Sequence, residues 1–443
     1  MKIKRFTFLL ILFLLLFPLL ISQINISDRI LKENKETNYY PTLSNNNVGF
    51  EWEQSWGGAG HDLAYQIVLD SSNNIYVAGN YNMTGLGGDI LLMKYSSSGN
   101  LEWTRTWQED YSYCYGIALD SLNNIYLAGM KQSILTLPRI VLLKYTSAGV
   151  LDWSQEIFIG TQCLASGIVI DSSNNIYLSG WTYSAANTDV LLVKCDSSGI
   201  PQWNRTWNYG PAESCIDIAL DSSNNLYLSA IVGLPGNPDI GLLKFNSSGD
   251  LQWYRIRGGA GWDLCKGVSL DSSENIYLAG TMEIAGNNQM CLVKFDPNGQ
   301  YQWNETWGGA GIEMAWELDI DSSDNIYLIG NRNIDELFVN FNFGEIVILK
   351  YDSSGQYQWN HTRVEVQREG GYAIELDSTE ENIYIAGMIE TLALNDTLLV
   401  KYSLNGANGD GKEEIPSYDI FLILIFTSFT LAYFIKKIQK KKK

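Results

Sequence analysis

The stretch Asp70–Tyr95, DSSNNIYVAGNYNMTGLGGDILLMKY, decides the fold, because the chain repeats its pattern seven times. Its opening returns as DSLNNIYLAG at Asp120, DSSNNIYLSG at Asp171, DSSNNLYLSA at Asp221, DSSENIYLAG at Asp271, DSSDNIYLIG at Asp321 and DSTEENIYIAG at Asp377. Its close, an apolar run ending in lysine, returns at Lys94, Lys144, Lys194, Lys244, Lys294, Lys350 and Lys401. Successive repeat aspartates stand 50, 51, 50, 50, 50 and 56 residues apart. A fixed period of about 50 residues is the mark of a solenoid, a propeller or an array.

Inside each unit the apolar residues alternate with period two. Ile117–Asp120, Ile125–Gly129 and Ile140–Tyr145 are short runs of β-branched and aromatic residues, bounded by clusters of Ser, Asn and Gly. That is the pattern of strands joined by tight turns. A fourth run follows: LEWTRTW at Leu101, LDWSQEI at Leu151, PQWNRTW at Pro201, LQWYRIR at Leu251, YQWNETW at Tyr301 and YQWNHTR at Tyr357. Four such strands make one propeller blade, whose two apolar faces are buried only when blades stack around a channel. After Lys401 no Trp-bearing strand follows, but an orphan, GFEWEQSW at Gly49–Trp56, precedes the first unit and matches GNLEWTRTW at Gly99. The expectation is an all-β, seven-bladed β-propeller closed by its N-terminal strand, which leaves no free sheet edge at the join.

The run WGGAGHDLAYQIVLDSSNNIYVAG, followed by DILLMKYSSSGNLEW, resembles the SBBP-type β-propeller repeat of microbial secreted proteins and is similar to the related delta-60 repeat. The resemblance covers Gly49 to about Gly406. It implies a propeller and no particular activity. Two units depart from the pattern: the second lacks the GGAG loop, reading QEDYSY at Gln108, and the sixth carries an insertion.

The two ends read differently. Residues 1–22 combine Lys2, Lys4 and Arg5 with the apolar run Phe6–Ile21, as in a secretory signal peptide or an uncleaved signal anchor. A linker, 23–48, leads to the propeller at 49–406, and a second linker spans 407–417. Residues 418–435 are apolar enough for one transmembrane helix, and the basic tail 436–443 is placed in the cytoplasm by the positive-inside rule. The propeller is then extracellular, and the short second linker turns its DSSNN face towards the membrane. The net charge of −19 is spread over a chain whose basic residues gather at both ends, so the middle is more acidic still. This speaks against nucleic acid or anionic lipid as a partner and suits a solvated surface, a divalent cation such as calcium or a basic partner, with a protein or glycan expected on the outward face.

Several residue sets carry candidate chemistry. Asp62, Glu213, Asp263, Glu313 and Glu369 lie eight residues before the repeat aspartate, and Asp89, Asp189, Asp239, Glu345 and Asp396 begin the third strands. Both sets fall on the face opposite the DSSNN turns, either as caps for local backbone N–H groups or as a carboxylate ring at the channel mouth for a cation or amine. The loop Asn331–Glu345 of the sixth unit is longer than its counterparts and places Phe338, Phe341 and Phe343 near an exposed tip, suited to an interaction surface. The repeat aspartate with its Ser-Ser-Asn-Asn reads as an Asx turn, because the ligand spacing of a calcium loop is missing. Trp103 and Trp107 share a strand face and read as packing residues.

Sequons at Asn82, Asn204, Asn246, Asn304, Asn360 and Asn395 are candidates for glycosylation. The six cysteines read as buried free thiols, with Cys215 and Cys265 the one pair placed alike in adjacent units. Two histidines, His61 and His361, lie in different parts of the fold, and no G-x-S-x-G, HExxH or paired-Cys motif is present, so no catalytic residue is assigned. The reading is a surface-anchored binding or adhesion module working through its variable-loop face. The alternative is an extracellular hydrolase, lyase or quinone-dependent dehydrogenase with its site at the channel mouth.

Overall fold

Each repeat folds into four antiparallel strands in chain order. In the fourth unit these are Glu213–Leu220, Leu226–Leu234, Asn237–Phe245 and Leu251–Arg257. The computed structural model describes residues 48–404, apart from 85–86, 134, 185–186, 235, 335–343, 366 and 392–393. Among these residues every regular element is a strand, arranged in five four-stranded sheets and one seven-stranded sheet. The seven-stranded sheet is two units fused by Leu101–Leu119, a single 19-residue strand. The fusion sits where the sequence lacks its GGAG loop: QEDYSY stays within the strand, with a register shift between Gly88 and Ile90 of its partner and Asp110 at φ 54°.

The repeat signature explains its own conservation across units through one local network. Asp221 Oδ1 accepts hydrogen bonds from the backbone N–H groups of Ser223 (2.9 Å) and Asn225 (2.8 Å). Its Oδ2 accepts from the Asn225 side chain (2.7 Å) and from the Tyr227 hydroxyl (3.2 Å). Asn224 supplies the left-handed residue of the turn, with φ 61°. Lys244 Nζ then lies 4.7 Å from the centre of the Tyr227 ring. The aspartate is fully engaged by its own turn, which leaves no coordination site for calcium. The lysine that ends the third strand is held by this cation–π contact and by Asp221 Oδ2, 3.9 Å from its Nζ.

The seams between units repeat as well. The indole of Trp103 packs on Gly149 of the next unit, where an added Cβ would lie 2.9 Å from the ring. Trp153, Trp203, Trp253 and Trp303 meet Gly199, Gly249, Gly299 and Gly355 in the same way. Arg105 and Arg255 extend the contact, each donating Nε to the carbonyl of the facing glycine at 2.6 Å. The core therefore lies between units. Tyr126, Ile140 and Ile157 of the second unit pack with Cys163, Ile168 and Leu191 of the third. Each fully buried aliphatic or aromatic side chain of this kind stabilises the fold by roughly 1.5–3 kcal/mol.

The first and last units also meet. Gly49–Trp56 pairs antiparallel with Leu394–Ser403, Gly49 opposite Ser403 and Trp56 opposite Thr397. It stands where the other units have their fourth strand, and its Trp52 packs on Gly99 as the other tryptophans do on theirs. Ala64, Ile67 and Leu91 of the first unit share a cluster with Ala373, Tyr384 and Leu399 of the seventh. On the DSSNN side, turns are linked in series: Ser272 donates N–H and Oγ–H to Asp324, Ser322 does so to Glu380, and the N–H of Ser378 reaches Asn73.

All six cysteines are buried and unbonded to one another, Cys215 and Cys265 included, and burial pushes both of these thiols up, Cys265 to about 12. The signal segment, the membrane helix and the basic tail expected at the two ends lie outside the described residues. Among the described residues no helix is long and apolar enough to cross a membrane.

Candidate functional site

One cavity of about 210 Å³ is lined by residues from the first strands of all seven units. A second cavity of about 340 Å³ overlaps it towards the strand beginnings, on the face opposite the DSSNN turns. What lines them follows from register. Five residues before the repeat aspartate stand Tyr65, Tyr115, Ser166, Ile216, Lys266, Trp316 and Tyr372. At four residues before it, most units carry glycine, alanine or glutamine, but the fourth carries Asp217 and the sixth Glu317. At two residues before it the side chains are small or apolar except for Asp319 and Glu375.

The wider cavity has an aromatic wall. Trp316 meets Tyr372 edge-on with ring centres 5.1 Å apart, Tyr372 lies 5.8 Å from Tyr65, and Tyr65 lies 5.9 Å from Tyr115. Lys266 Nζ sits 4.8 Å from the centre of the Trp316 ring.

The carboxylates lie deeper. Asp217 accepts from the N–H of Ile218 (2.8 Å) and, across the seam, from Val268 (3.0 Å). Glu317 accepts from Ile374 (3.0 Å), and Asp319 from Ile320 and Leu376 (2.8 Å each). These bonds tie neighbouring first strands, so the acids have a structural role whatever else they do.

Burial dominates their electrostatics. It pushes Asp217 up to about 6 against the two backbone bonds that favour its charged form. Glu317 is held well above the usual carboxylate range by burial and then by the charge of Asp217. Glu375 is held there by burial, with Asp319 and Glu317 adding to it. Burial also pulls Lys266 below the ordinary lysine value. The site is an aromatic-walled cavity with one amine and a base of buried carboxyls raised above their ordinary values, able to stack a ring and to hydrogen-bond hydroxyls.

The acids singled out from the sequence are elsewhere. Asp62, Glu213, Asp263, Glu313 and Glu369 are all at most 3% exposed and line neither cavity. Asp62 accepts from the N–H groups of Gly58 and Asn82 (2.7 Å each), Asp263 from Gly259 (2.6 Å) and Glu313 from Gly309 (3.3 Å). Glu369 is paired with Arg363 Nε at 2.8 Å. Of the two roles weighed for this set, Asp62, Asp263 and Glu313 take that of caps for backbone N–H groups, while Glu369 is ion-paired and both Glu213 carboxylate oxygens are buried without a hydrogen-bond partner among the described residues. Among the described residues no group of three or more His, Cys, Asp or Glu side chains is arranged to hold a metal ion.

Phe338, Phe341 and Phe343 lie outside the described residues. Of the sequons, Asn82 and Asn204 are exposed and Asn246, Asn304 and Asn360 are half-buried. Asn395 is 2% exposed, so its amide is shielded in the folded chain. The cavity residues were readable as breaks in the repeat: ELDID in the sixth unit and AIELD in the seventh place acids where other units read GIALD or GIVID.

No protein-family model matches the chain, and no curated protein matches it. Among solved structures it is similar to a polysaccharide lyase, Uly1, with a TM-score of 0.51 and 9% sequence identity, over 80% of this chain and 100% of that one. At that identity the likeness concerns the fold alone.

Proposed function

We propose that the chain is a seven-bladed β-propeller closed by its N-terminal strand, of the SBBP kind, carried outside the cell on a C-terminal membrane helix. We read it as a binding module whose ligand enters the central cavity from the face opposite the DSSNN turns. Closure is supported by the cycle of first-strand contacts, in which Glu369–Leu376 packs on His61–Leu69 as each earlier first strand packs on the next.

One observation carries the ligand site. A fold built from seven near-identical units keeps only what packing needs in every unit, yet the cavity gathers residues that single units alone possess: Lys266, Asp217, Glu317 and Trp316. The aromatic wall and the hydrogen-bonding groups beneath it suit a glycan end, since a sugar ring offers an apolar face to stack and hydroxyls to donate. Titrating the full-length protein in detergent with a panel of neutral and acidic oligosaccharides, followed by tryptophan fluorescence and calorimetry, tests this. Binding that Tyr65→Ala and Glu317→Gln each weaken roughly tenfold supports the reading. Absence of binding across the panel, or binding unaffected by both changes, sinks it.

The second reading is a carbohydrate-cleaving enzyme. It is favoured by the amine of Lys266, held below the ordinary lysine value, lining one cavity with Tyr65 and Tyr115. Elimination would create an unsaturated sugar that absorbs in the near ultraviolet, so turnover of any polysaccharide in the same panel would replace the binding-module reading.

A further inference from the structure

We propose that Lys266 is a reactive amine that condenses reversibly with small aldehydes or ketones admitted to the central cavity. The site is built for one amine. Lys266 is the only basic side chain among those lining the cavity of about 340 Å³. No described carboxylate is in ion-pair contact with its Nζ. Lys131 shows the ordinary alternative, with its Nζ clasped by Glu109 at 2.7 Å and Glu156 at 2.8 Å. The titratable and aromatic side chains that line this cavity with Lys266 are Tyr65, Tyr115, Trp181, Cys215, Asp217, Trp316, Glu317 and Tyr372.

Two effects on the amine oppose each other. The face of Trp316, 4.8 Å away, favours the ammonium form. Loss of water around a cation without a counter-ion disfavours it, and the balance lies below the ordinary lysine value. A desolvated lysine of this kind is the usual amine for imine chemistry. Its backbone is held as well: Ser229 Oγ donates to the Lys266 carbonyl at 2.7 Å, which fixes the strand from which the side chain projects.

The step balances without any oxidant. The Nζ lone pair attacks the carbonyl carbon, an N–C bond forms, and the carbonyl oxygen takes a proton to give a carbinolamine. The C–O bond then breaks, the oxygen leaves as water, and nitrogen gives up its remaining surplus proton. Asp217 and Glu317 line the same cavity, and burial raises both carboxyls above their ordinary values, which suits them to donate the proton for water loss. The aromatic wall selects a carbonyl compound with a ring or a hydroxylated body, the open-chain form of a reducing sugar included. This goes beyond glycan binding and requires only that small molecules enter the cavity.

Reductive trapping tests it. The full-length protein in detergent is treated at pH 7 with dilute glycolaldehyde and sodium cyanoborohydride, and the modified lysines are mapped by peptide mass spectrometry over time. Lys266 should be modified roughly tenfold faster than the median lysine. Its rate should also level off at a lower pH than theirs, and the advantage should vanish in denaturant. Lys266→Arg should remove that site alone. Modification of Lys266 at or below the median rate in the folded protein overturns the proposal. If oligosaccharides bind while Lys266 labels slowly, this inference falls and the binding reading stands; fast labelling without oligosaccharide binding gives the reverse.

Discussion

Arg363 donates Nη2 to Glu53 at 2.6 Å, joining the sixth unit to the N-terminal strand across 310 residues of chain. The same guanidinium is bound to Glu369 of the seventh unit, through Nε at 2.8 Å and Nη2 at 3.0 Å. The N-terminal strand, remote in sequence, and two neighbouring units thus share one buried cation, 8% exposed. Glu369 is buried, whereas the Glu53 side chain is 45% exposed. The two carboxylates should therefore differ in weight. Arg363→Met leaves Glu369 buried and unpaired, and should destabilise the fold by about 3–5 kcal/mol. Glu53→Gln removes a partly solvated partner and should cost about 0–1 kcal/mol. Chemical denaturation of the two variants checks the ordering, and equal losses would contradict it.

Gly149 faces two demands at once. Its φ of 74° lies in the left-handed region, and an added Cβ would meet the Trp103 indole at 2.9 Å. Gly149→Ala should cost about 1–3 kcal/mol, from backbone strain and from displacement of the tryptophan. Gly309→Ala, where an added Cβ meets nothing within 4 Å, should stay within about 0.5 kcal/mol of the parent. Thermal melts of the two variants, read beside the parent, provide the comparison.

Stability should change with pH in two opposite windows. Asp217, Glu317, Asp319 and Glu375 are raised by burial, so the folded state holds their protons more tightly than the unfolded chain does. Their contribution is complete below the unfolded carboxylate value, about 4, and is lost as pH rises through the folded values, about 6 for Asp217. Asp70, Asp120 and Asp377 behave oppositely. Burial raises them, but the hydrogen bonds of their turns outweigh it and hold them below 3.8, so their contribution is lost as pH falls through the folded values. Denaturation midpoints should peak in mildly acidic solution. Glu317→Gln should flatten the decline on the alkaline side, and an unchanged slope would count against the cavity cluster.

Glycosylation should separate the sequons by exposure. Expressed in a glycosylating host, the protein should carry glycan at exposed Asn204 and none at Asn395, which is 2% exposed and whose backbone N–H is bound to His61 Nδ1 at 3.3 Å. Glycopeptide mass spectrometry reads both, and an occupied Asn395 would mean that its strand is open during folding.

The sequence by itself determined the repeat and nearly all that follows from it. A period of about 50 residues, alternating strands and an Asp-Ser-Ser-Asn-Asn turn are local instructions, and each unit carries the full set. It also held the orphan strand Gly49–Trp56, because counting fourth strands needs no coordinates. Tertiary structure alone decided which acids are structural and which face the cavity. Asp62 and Glu317 are both carboxylates on first strands, but Asp62 meets the N–H groups of a loop while Glu317 projects into the space where seven strands converge. Periodicity tells which side chains share a face of a strand. It cannot tell what stands opposite them, because the opposing groups come from units 50 to several hundred residues away. Burial, and the pKa values that follow from it, belong to that convergence and to no single repeat.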